Sequence, residues 1–495
     1  MVADALTPAV IHVPHETQWG AGEGSVAPLL SAPQFPVVIV GAGACGLTAA
    51  LMLQGLGVPS LLLERDDHPQ GSSALSSGFV PAAGTLCQER QGIVDSQAQF
   101  IQDIVHKNHD QSPLHLVQAY VQAVPQAIDA LETEHGVPWR VLDHFLYPGH
   151  SVHRMHAVPE TSGEGLMARL MHAAQVAQDQ VTILTSARVT QLYLDPDQRV
   201  VGLGYVRPDG SHEWVRAQAV LLASNGFGGN ADLVAQHLPA MKHAVYAGHA
   251  GNDGSAVLWG QALGVKLLDM GAYQGHGSWQ PELGLLMSWA LMGQGGIQIN
   301  QQGVRFHDES QGYSEASVGV LAQPGSRAWC VFDTPVFELG LGFPEFKQAQ
   351  ALGGVKRFDS VSALAAWVGC PQENLERTLQ GRASEGEGAP ALSALSRALV
   401  PPLYAVQVTG ALFHTQGGLD IDAHCRVLTS AGAALPNLWA AGGAARGVSG
   451  QEVWGYLSGN GLLSALAGGF IAAQSMAKAL GQATGQAPAA GPALP

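Results

Sequence analysis

The chain is poor in cysteine, poor in charge and without long hydrophobic runs, and each shortage excludes a class of protein. Its five cysteines (Cys45, Cys87, Cys330, Cys370 and Cys425) are widely separated, with no CxxC, no CxxCH and no four-cysteine cluster. Zinc, iron–sulfur clusters and c-type haem are disfavoured, no metal site is expected, and a reducing, cytoplasmic location is the expectation. Charged residues are only 13% and the net charge is −16, which argues against nucleic-acid or anionic-membrane partners, since either needs a basic face. The longest apolar run, Gly461 to Ala473, stops at Gln474 and is too short for a transmembrane segment. The opening MVADALTPAVIHVPHE lacks the basic region and apolar stretch of a signal peptide.

Glycine is what the chain has in excess: 62 residues, as many as all charged residues together and without a Gly-X-Y period. That fits either a large ligand lying against main chain or a loop-rich fold. With 46% hydrophobic residues the chain is too apolar for disorder, and 495 residues suggest roughly two to four domains or one large domain with an insert. Residues 1–34 lack periodicity and read as an N-terminal arm. PVVIV, then LTAALMLQGLG, then SLLLERD form a βαβ unit. Segments 113–136 and 164–178 read as amphipathic helices, and the strands around Asp209-Gly210 as a hairpin. The texture changes over 230–404, which includes a polar segment at 381–389. Strands return from 405, an apolar helix covers 460–480, and 481–495 reads as a disordered tail. An α/β nucleotide-binding domain split into 35–229 and 405–480 around an α+β insert, 230–404, fits this order.

Gly41-Ala42-Gly43-Ala44-Cys45-Gly46 follows an apolar strand and opens a helix. The first glycine makes the turn, the second admits a pyrophosphate and the third lets helix and strand pack. Glu64, with Arg65 beside it, ends the next strand where a carboxylate meets a ribose hydroxyl, and the helix N-terminus faces phosphate. NAD and FAD share this fingerprint. Further expected contacts are Ser72, Ser73, Ser77 and Gly78; Arg188 and Val189; Ala223, Ser224, Asn225 and Gly226; Gly442 and Gly443; and Leu457, Ser458 and Gly459. A cofactor touched from both ends of the chain is long, which favours FAD.

Over residues 35–480 these ordered motifs resemble the flavoproteins of the succinate dehydrogenase, fumarate reductase and 3-ketosteroid dehydrogenase group. The resemblance implies a Rossmann-like FAD-binding domain with an inserted capping domain. Covalent members carry the flavin on a histidine before the serine/glycine stretch. QGSSALSSG has none, so noncovalent FAD is expected.

The same resemblance locates a substrate site. Tyr273-Gln-Gly-His276 resembles the QxHP segment and His414-Thr-Gln-Gly-Gly418 the HTxGG segment, so both histidines of the fumarate reductases are retained; each is equally readable as a core histidine. GGIQINQQGVRFHDE resembles the VNxxGxRFxxE motif, with Arg305 and Glu309 as its structural and flavin-side elements. The proton-donor arginine of that family lies eight residues after the RF arginine, where this chain has Tyr313. Its carboxylate-clamping arginine precedes the terminal LGGN, where this chain has Tyr456 before LSGN. Ketosteroid Δ1-dehydrogenases resemble this two-tyrosine pattern, which implies Tyr313 as proton-abstracting base and Tyr456 as carbonyl donor. Backbone N–H groups near Gly459 and Asn460 are expected to stabilise a developing enolate, and His276 or His414 to relay the proton. Arg446 is the spare cation near the site, while His249, His307 and His424 read as surface or turn residues.

A tyrosine offers one hydrogen bond to a neutral oxygen, whereas arginine matches a carboxylate. The expected activity is therefore an FAD-dependent dehydrogenase that places a C=C bond beside the carbonyl of a cyclic ketone, with a diffusible quinone or oxygen as electron acceptor. A fumarate-reductase-like enoate reductase is the alternative. A flavin electron-transfer protein without substrate chemistry is the third reading.

Overall fold

The computed structural model describes residues 7–16, 27–143, 145–381 and 397–481. Most of the 381–389 segment and of the 481–495 tail, and parts of the 1–34 arm, lie outside the described residues. A nine-stranded sheet forms the first body. Its parallel centre joins Gln34–Val40, Ser60–Leu63 and Val181–Leu184 on one side to the long strand His212–Leu222. VVIV and LLL are almost fully buried, as expected of parallel strands covered on both faces. The strand His212–Leu222 changes partners along its length. Its first half pairs antiparallel with Val200–Val206 across the Asp209-Gly210 turn, and its second half pairs parallel with Gln34–Val40 and with Ala434–Ala440. Strands from near both ends of the sequence thus pair with one strand in the interior of this sheet.

The helix Ala44–Gly55 lies against the helix Asn460–Ala479, whose Gly469 has no room for a Cβ: it would sit 2.5 Å from the Cys45 carbonyl oxygen. Asn460–Ala479 is long and apolar enough to cross a membrane by length and composition, unlike the shorter run read from the sequence, yet 67% of its most apolar window is buried inside this protein.

The second body is a seven-stranded sheet. Its central strand, Leu403–Thr415, pairs antiparallel with Tyr273–Gln280 on one side and Ala328–Asp333 on the other. The expected boundary at 404/405 therefore falls inside a single strand of this sheet, because 403–415 satisfies its backbone hydrogen bonds there and only its end reaches the first body. The N-terminal arm needs a similar correction. Ala9–His12 adds a parallel strand beside Gln191–Leu194, a short four-residue element that shows no periodicity of its own.

Asn437 ties three strands of the first sheet together. Its buried side chain accepts from Val200 N (2.8 Å) and donates to Val200 O (2.9 Å) and Gln218 O (2.9 Å). Asn437→Ala leaves these buried backbone groups unpaired and should cost about 3 kcal/mol of stability. Chemical denaturation of the purified variant checks this, and an unchanged midpoint would contradict the assigned role.

Candidate active site

One cavity is lined both by the Gly41 turn and by Tyr313 and Tyr456, so it runs from the dinucleotide-type turn to the two phenols. At one part of it, Gly41 turns with φ +102° and lies so close to Ala223 that a Cβ would come within 2.7 Å of the Ala223 carbonyl oxygen. A Cβ on Gly46 would sit 2.0 Å from the Gly41 carbonyl. Glu64 accepts from Ala42 N (2.9 Å) and Asp66 N (3.0 Å), and Ser73 Oγ accepts from Ala44 N (3.2 Å) at the helix start. Ser224 Oγ and Ser464 Oγ, both on residues that line the cavity, are buried without a partner. Glycines packed to main-chain distance, a helix N-terminus and unpaired hydroxyls fit a dinucleotide.

Of the expected cofactor residues, all but Ala42, Gly46, Gly226 and Leu457 line this cavity. Ala42 and Gly46 shape the turn from behind. Gly226 is packed against Thr415 Oγ1, which a Cβ would meet at 2.0 Å, and Leu457 is fully buried. Arg65 and Arg188 both pair with Asp253 (3.1 and 2.9 Å), and Asn252 donates to Ser72 Oγ (2.8 Å). The loop 249–253 was missed by sequence reading. His249, expected at the surface or in a turn, does open a turn, with Asn252 N donating to its carbonyl at 3.0 Å, but it also lines the cavity and pairs with Asp66, and the signal was the turn-forming GNDG that follows it. His307 is likewise no surface residue; it bonds Gln298 Oε1 at 2.7 Å. His424 is exposed as expected.

The helix Tyr313–Leu321 presses onto the strand Tyr273–Gln280 through two glycines. A Cβ on Gly275 or Gly277 would come within 2.2 Å of Ser317 Oγ or 2.7 Å of Ala316 Cβ. This close approach stacks the Tyr313 ring on His276 at 4.8 Å and 14°. Lys107 fixes the helix start, donating to Gln311 O (2.9 Å) and pairing with Glu315 on either side of Tyr313. The Tyr313 hydroxyl meets Ser458 Oγ at 3.0 Å, and its ring lies 6.2 Å from that of Tyr456. Burial pushes the phenol of Tyr313 well above its usual range. Burial also raises Tyr456, opposed by hydrogen bonds from the N–H groups of Gly461 and Gly459.

Two expectations are corrected here. His276 does not line the cavity: it sits behind Tyr313, and its Nδ1 accepts from Ser278 N (3.1 Å), so it makes no proton-relay bond to the phenol. Asn460 N–H donates to Leu457 O, while the amides of Gly459 and Gly461 are the ones that act on Tyr456, opposing the rise in its pKa. His414 does line the cavity, with its ring 5.6 Å from that of Tyr456. His414 Nδ1 lies 3.2 Å from Gln416 Nε2, which can only donate, and 3.3 Å from the Thr415 carbonyl oxygen, which can only accept. Burial lowers His276 to about 3 and His414 to about 4, so both are neutral.

Arg446 is not free for a substrate. It bonds Asp269 (2.8 Å) and Asp420 (3.3 Å) and does not line the cavity. Arg305 pairs with Glu309, whose carboxylate also accepts from Gln298 N (2.8 Å), so this pair is structural. Among the described residues that line the cavity, Arg65 and Arg188 are the only arginines and there is no lysine. The walls near the tyrosines also include Phe79, Tyr147, Met155, Leu286 and Phe413, an apolar set that no sequence motif announced.

The pattern of the FAD binding domain family matches residues 36–462. The chain belongs to this family. A fumarate reductase (cytochrome) of Shewanella frigidimarina is 28% identical over 467 residues, covering 91% of this chain and 76% of that protein. The open conformation of a flavocytochrome c3 fumarate reductase superposes with a TM-score of 0.75 at 25% identity, over 91% of this chain and 80% of that one. The 3-ketosteroid Δ1-dehydrogenase of Sterolibacterium denitrificans has the same fold, with a TM-score of 0.72 at 20% identity, over 90% of this chain and 100% of that one. This is a flavoprotein of the succinate dehydrogenase and fumarate reductase superfamily, with FAD as cofactor, and an oxidoreductase acting on carbon–carbon bonds.

Two outcomes are expected. Gly46→Ala forces the Gly41 turn apart and should leave the purified protein with at least about tenfold less bound flavin, read from visible absorbance. The second concerns pH. His150, His156, His276 and His414 are held neutral by burial, with pKa values lowered to about 4, 4, 3 and 4. The unfolded chain takes up protons on these residues below about 6.5 while the folded chain does not, so stability present above that pH is lost as pH falls from 6.5 toward 4. The melting temperature at pH 5 should lie at least about 5 °C below its value at pH 7.5, and a flat profile would refute neutral burial of these rings.

Proposed function

We propose that this chain is an FAD-dependent dehydrogenase that introduces a C=C bond α,β to the carbonyl of a cyclic ketone. The observation that carries this reading is the pair of buried phenols, Tyr313 and Tyr456, in a cavity whose two arginines are committed to Asp253. A dicarboxylate there would have no cation to pair with, and burying an unpaired charge is costly. A ketone needs only hydrogen-bond donors. Tyr456 is placed to give one: the N–H groups of Gly459 and Gly461 beside it favour its ionised form, which makes its phenol a better donor. His414, whose ring lines the cavity beside Tyr456, is a second hydrogen-bonding group. Together they polarise the carbonyl and acidify its α-carbon, and Tyr313 takes the α-proton. FAD, held noncovalently along the Gly41 turn, supplies the acceptor for a hydride from the β-carbon. The apolar walls favour a ring-shaped, uncharged substrate.

The reading as an enoate reductase is favoured by the fumarate reductase relatives and by the retained His414, and opposed by the missing cations. It is the same chemistry in reverse if the substrate is a neutral enone. The electron-carrier reading leaves the organised phenol pair without a role.

Anaerobic mixing of the flavin-loaded protein with a panel of cyclic ketones and saturated dicarboxylates separates these readings. Bleaching of the flavin by ketones alone is the expected result, whereas bleaching by succinate-like acids sinks the ketone reading. Tyr313→Phe should slow ketone-driven bleaching by about 100- to 10,000-fold and leave flavin bound.

A further inference from the structure

We infer that the indole N–H of Trp259 donates a hydrogen bond to a ring nitrogen of the FAD adenine. The inference concerns the cofactor end of the cavity and does not depend on which substrate is oxidised or reduced at the phenols. Trp259 is only 1% exposed, lines the cavity, and its Nε1–H has no partner. An indole nitrogen can only donate, so an acceptor must come to it. Buried donors left unpaired are rare, because nothing replaces the hydrogen bond to water that burial removes. Among the described residues two other tryptophans, Trp139 and Trp454, have a buried N–H without a partner, and neither lines the cavity. Trp259 is therefore the one to which a bound cofactor can bring the acceptor.

The bonded chain around Glu64 places this donor beside the base. Glu64 ends its strand where a ribose hydroxyl is met, and the base lies beyond that sugar, away from the Gly41 turn. Ala187 N donates to Glu64 O at 2.8 Å, so Ala187, Arg188 and Val189 run alongside and line the same stretch of cavity. Asp253 joins this wall to the helix Ser255–Ala262: it pairs with Arg65 and Arg188 and accepts from Ser255 N (3.1 Å) and from Ser255 Oγ. Ser255 and Trp259 stand four residues apart on that helix and both line the cavity, so one helix face forms the wall here. The helix has no room to turn away. Gly254, just before it, has φ +79° and a Cβ there would sit 2.5 Å from Leu233 Cδ1, while a Cβ on Gly260 would sit 2.4 Å from Leu419 Cδ2. Packing on both sides of Trp259 thus sets the indole before any ligand arrives. Arg65, Arg188 and Ser255 are all engaged by Asp253, whereas the indole N–H is engaged by nothing. Adenine offers ring nitrogens as acceptors at its edges, and a fixed donor that cannot accept matches one of them.

The test reads cofactor release and needs no turnover. Holoprotein is loaded with FAD or with one of three FAD analogues in which adenine N1, N3 or N7 is replaced by C–H. It is then diluted, and release is followed as the rise in flavin fluorescence. From wild type at least one analogue should leave about three- to tenfold faster than FAD, the worth of one neutral hydrogen bond. Trp259→Phe keeps an aromatic ring without the N–H; it should release FAD faster by a similar factor and lose the discrimination against one such analogue. Equal release of FAD and all three analogues from wild type overturns the inference without any variant. A Trp259→Phe protein that holds FAD as tightly as wild type overturns it too. So does a variant that releases FAD faster yet keeps every analogue difference, since the indole then contributes packing alone. If Trp259→Phe does not fold, Trp259→Leu carries the comparison. None of these outcomes touches the ketone reading, which the bleaching experiment decides separately.

Discussion

Everything in the site depends on keeping two phenols desolvated. Charge is expensive in such a place, so an uncompensated carboxylate, an imidazolium and a phenolate are all disfavoured. The consequence is a neutral site: Tyr313 and Tyr456 are raised, His276 and His414 are lowered, and among the described residues the only arginines lining the cavity, Arg65 and Arg188, are paired with Asp253. An arginine in either tyrosine position would reverse this, because it would stay ionised and demand an anion.

The fold delivers these groups from opposite directions. Tyr313 stands on a helix of the second body, set at glycine distance on the strand that carries His276. Tyr456 and Ser458 stand on the segment that leads into the last helix of the first body. Neither body holds the constellation alone. The long strand Leu403–Thr415 bridges them, since it is central to the second sheet yet ends at Thr415, whose hydroxyl accepts from Phe227 N at 3.2 Å.

Much of this was legible in the chain. The βαβ unit announces itself because parallel buried strands read as continuous apolar runs, and the Gly41 turn because its spacing is set by main-chain contact. Tyr313 could be found by counting from Arg305, and His414 from the HTQGG run. What stayed hidden was direction. Sequence order placed His276 near Tyr313 but said nothing about which side of the ring it covers, and it placed Asn460 at a helix start without revealing that Leu457 takes its N–H. The partner strands of Ala9–His12 and Leu403–Thr415 were equally invisible, because pairing is fixed by what lies beside a strand and not by what is in it.

Arg446 shows why a cation near a motif is a poor guide to the charge of a site. Its guanidinium lies between Asp269 and Asp420, where burial raises the Asp269 pKa and the arginine opposes that rise. Removing it would strand two carboxylates, so its position is demanded by the fold whatever the ligand. The same holds for Lys107 with Glu315, for Arg65 and Arg188 with Asp253, and for the buried Arg154 with Asp95 and Asp103. In a chain with only 13% charged residues, these interior pairs join segments far apart in sequence. Each pair is satisfied where it stands, which is what leaves the tyrosine end of the cavity uncharged.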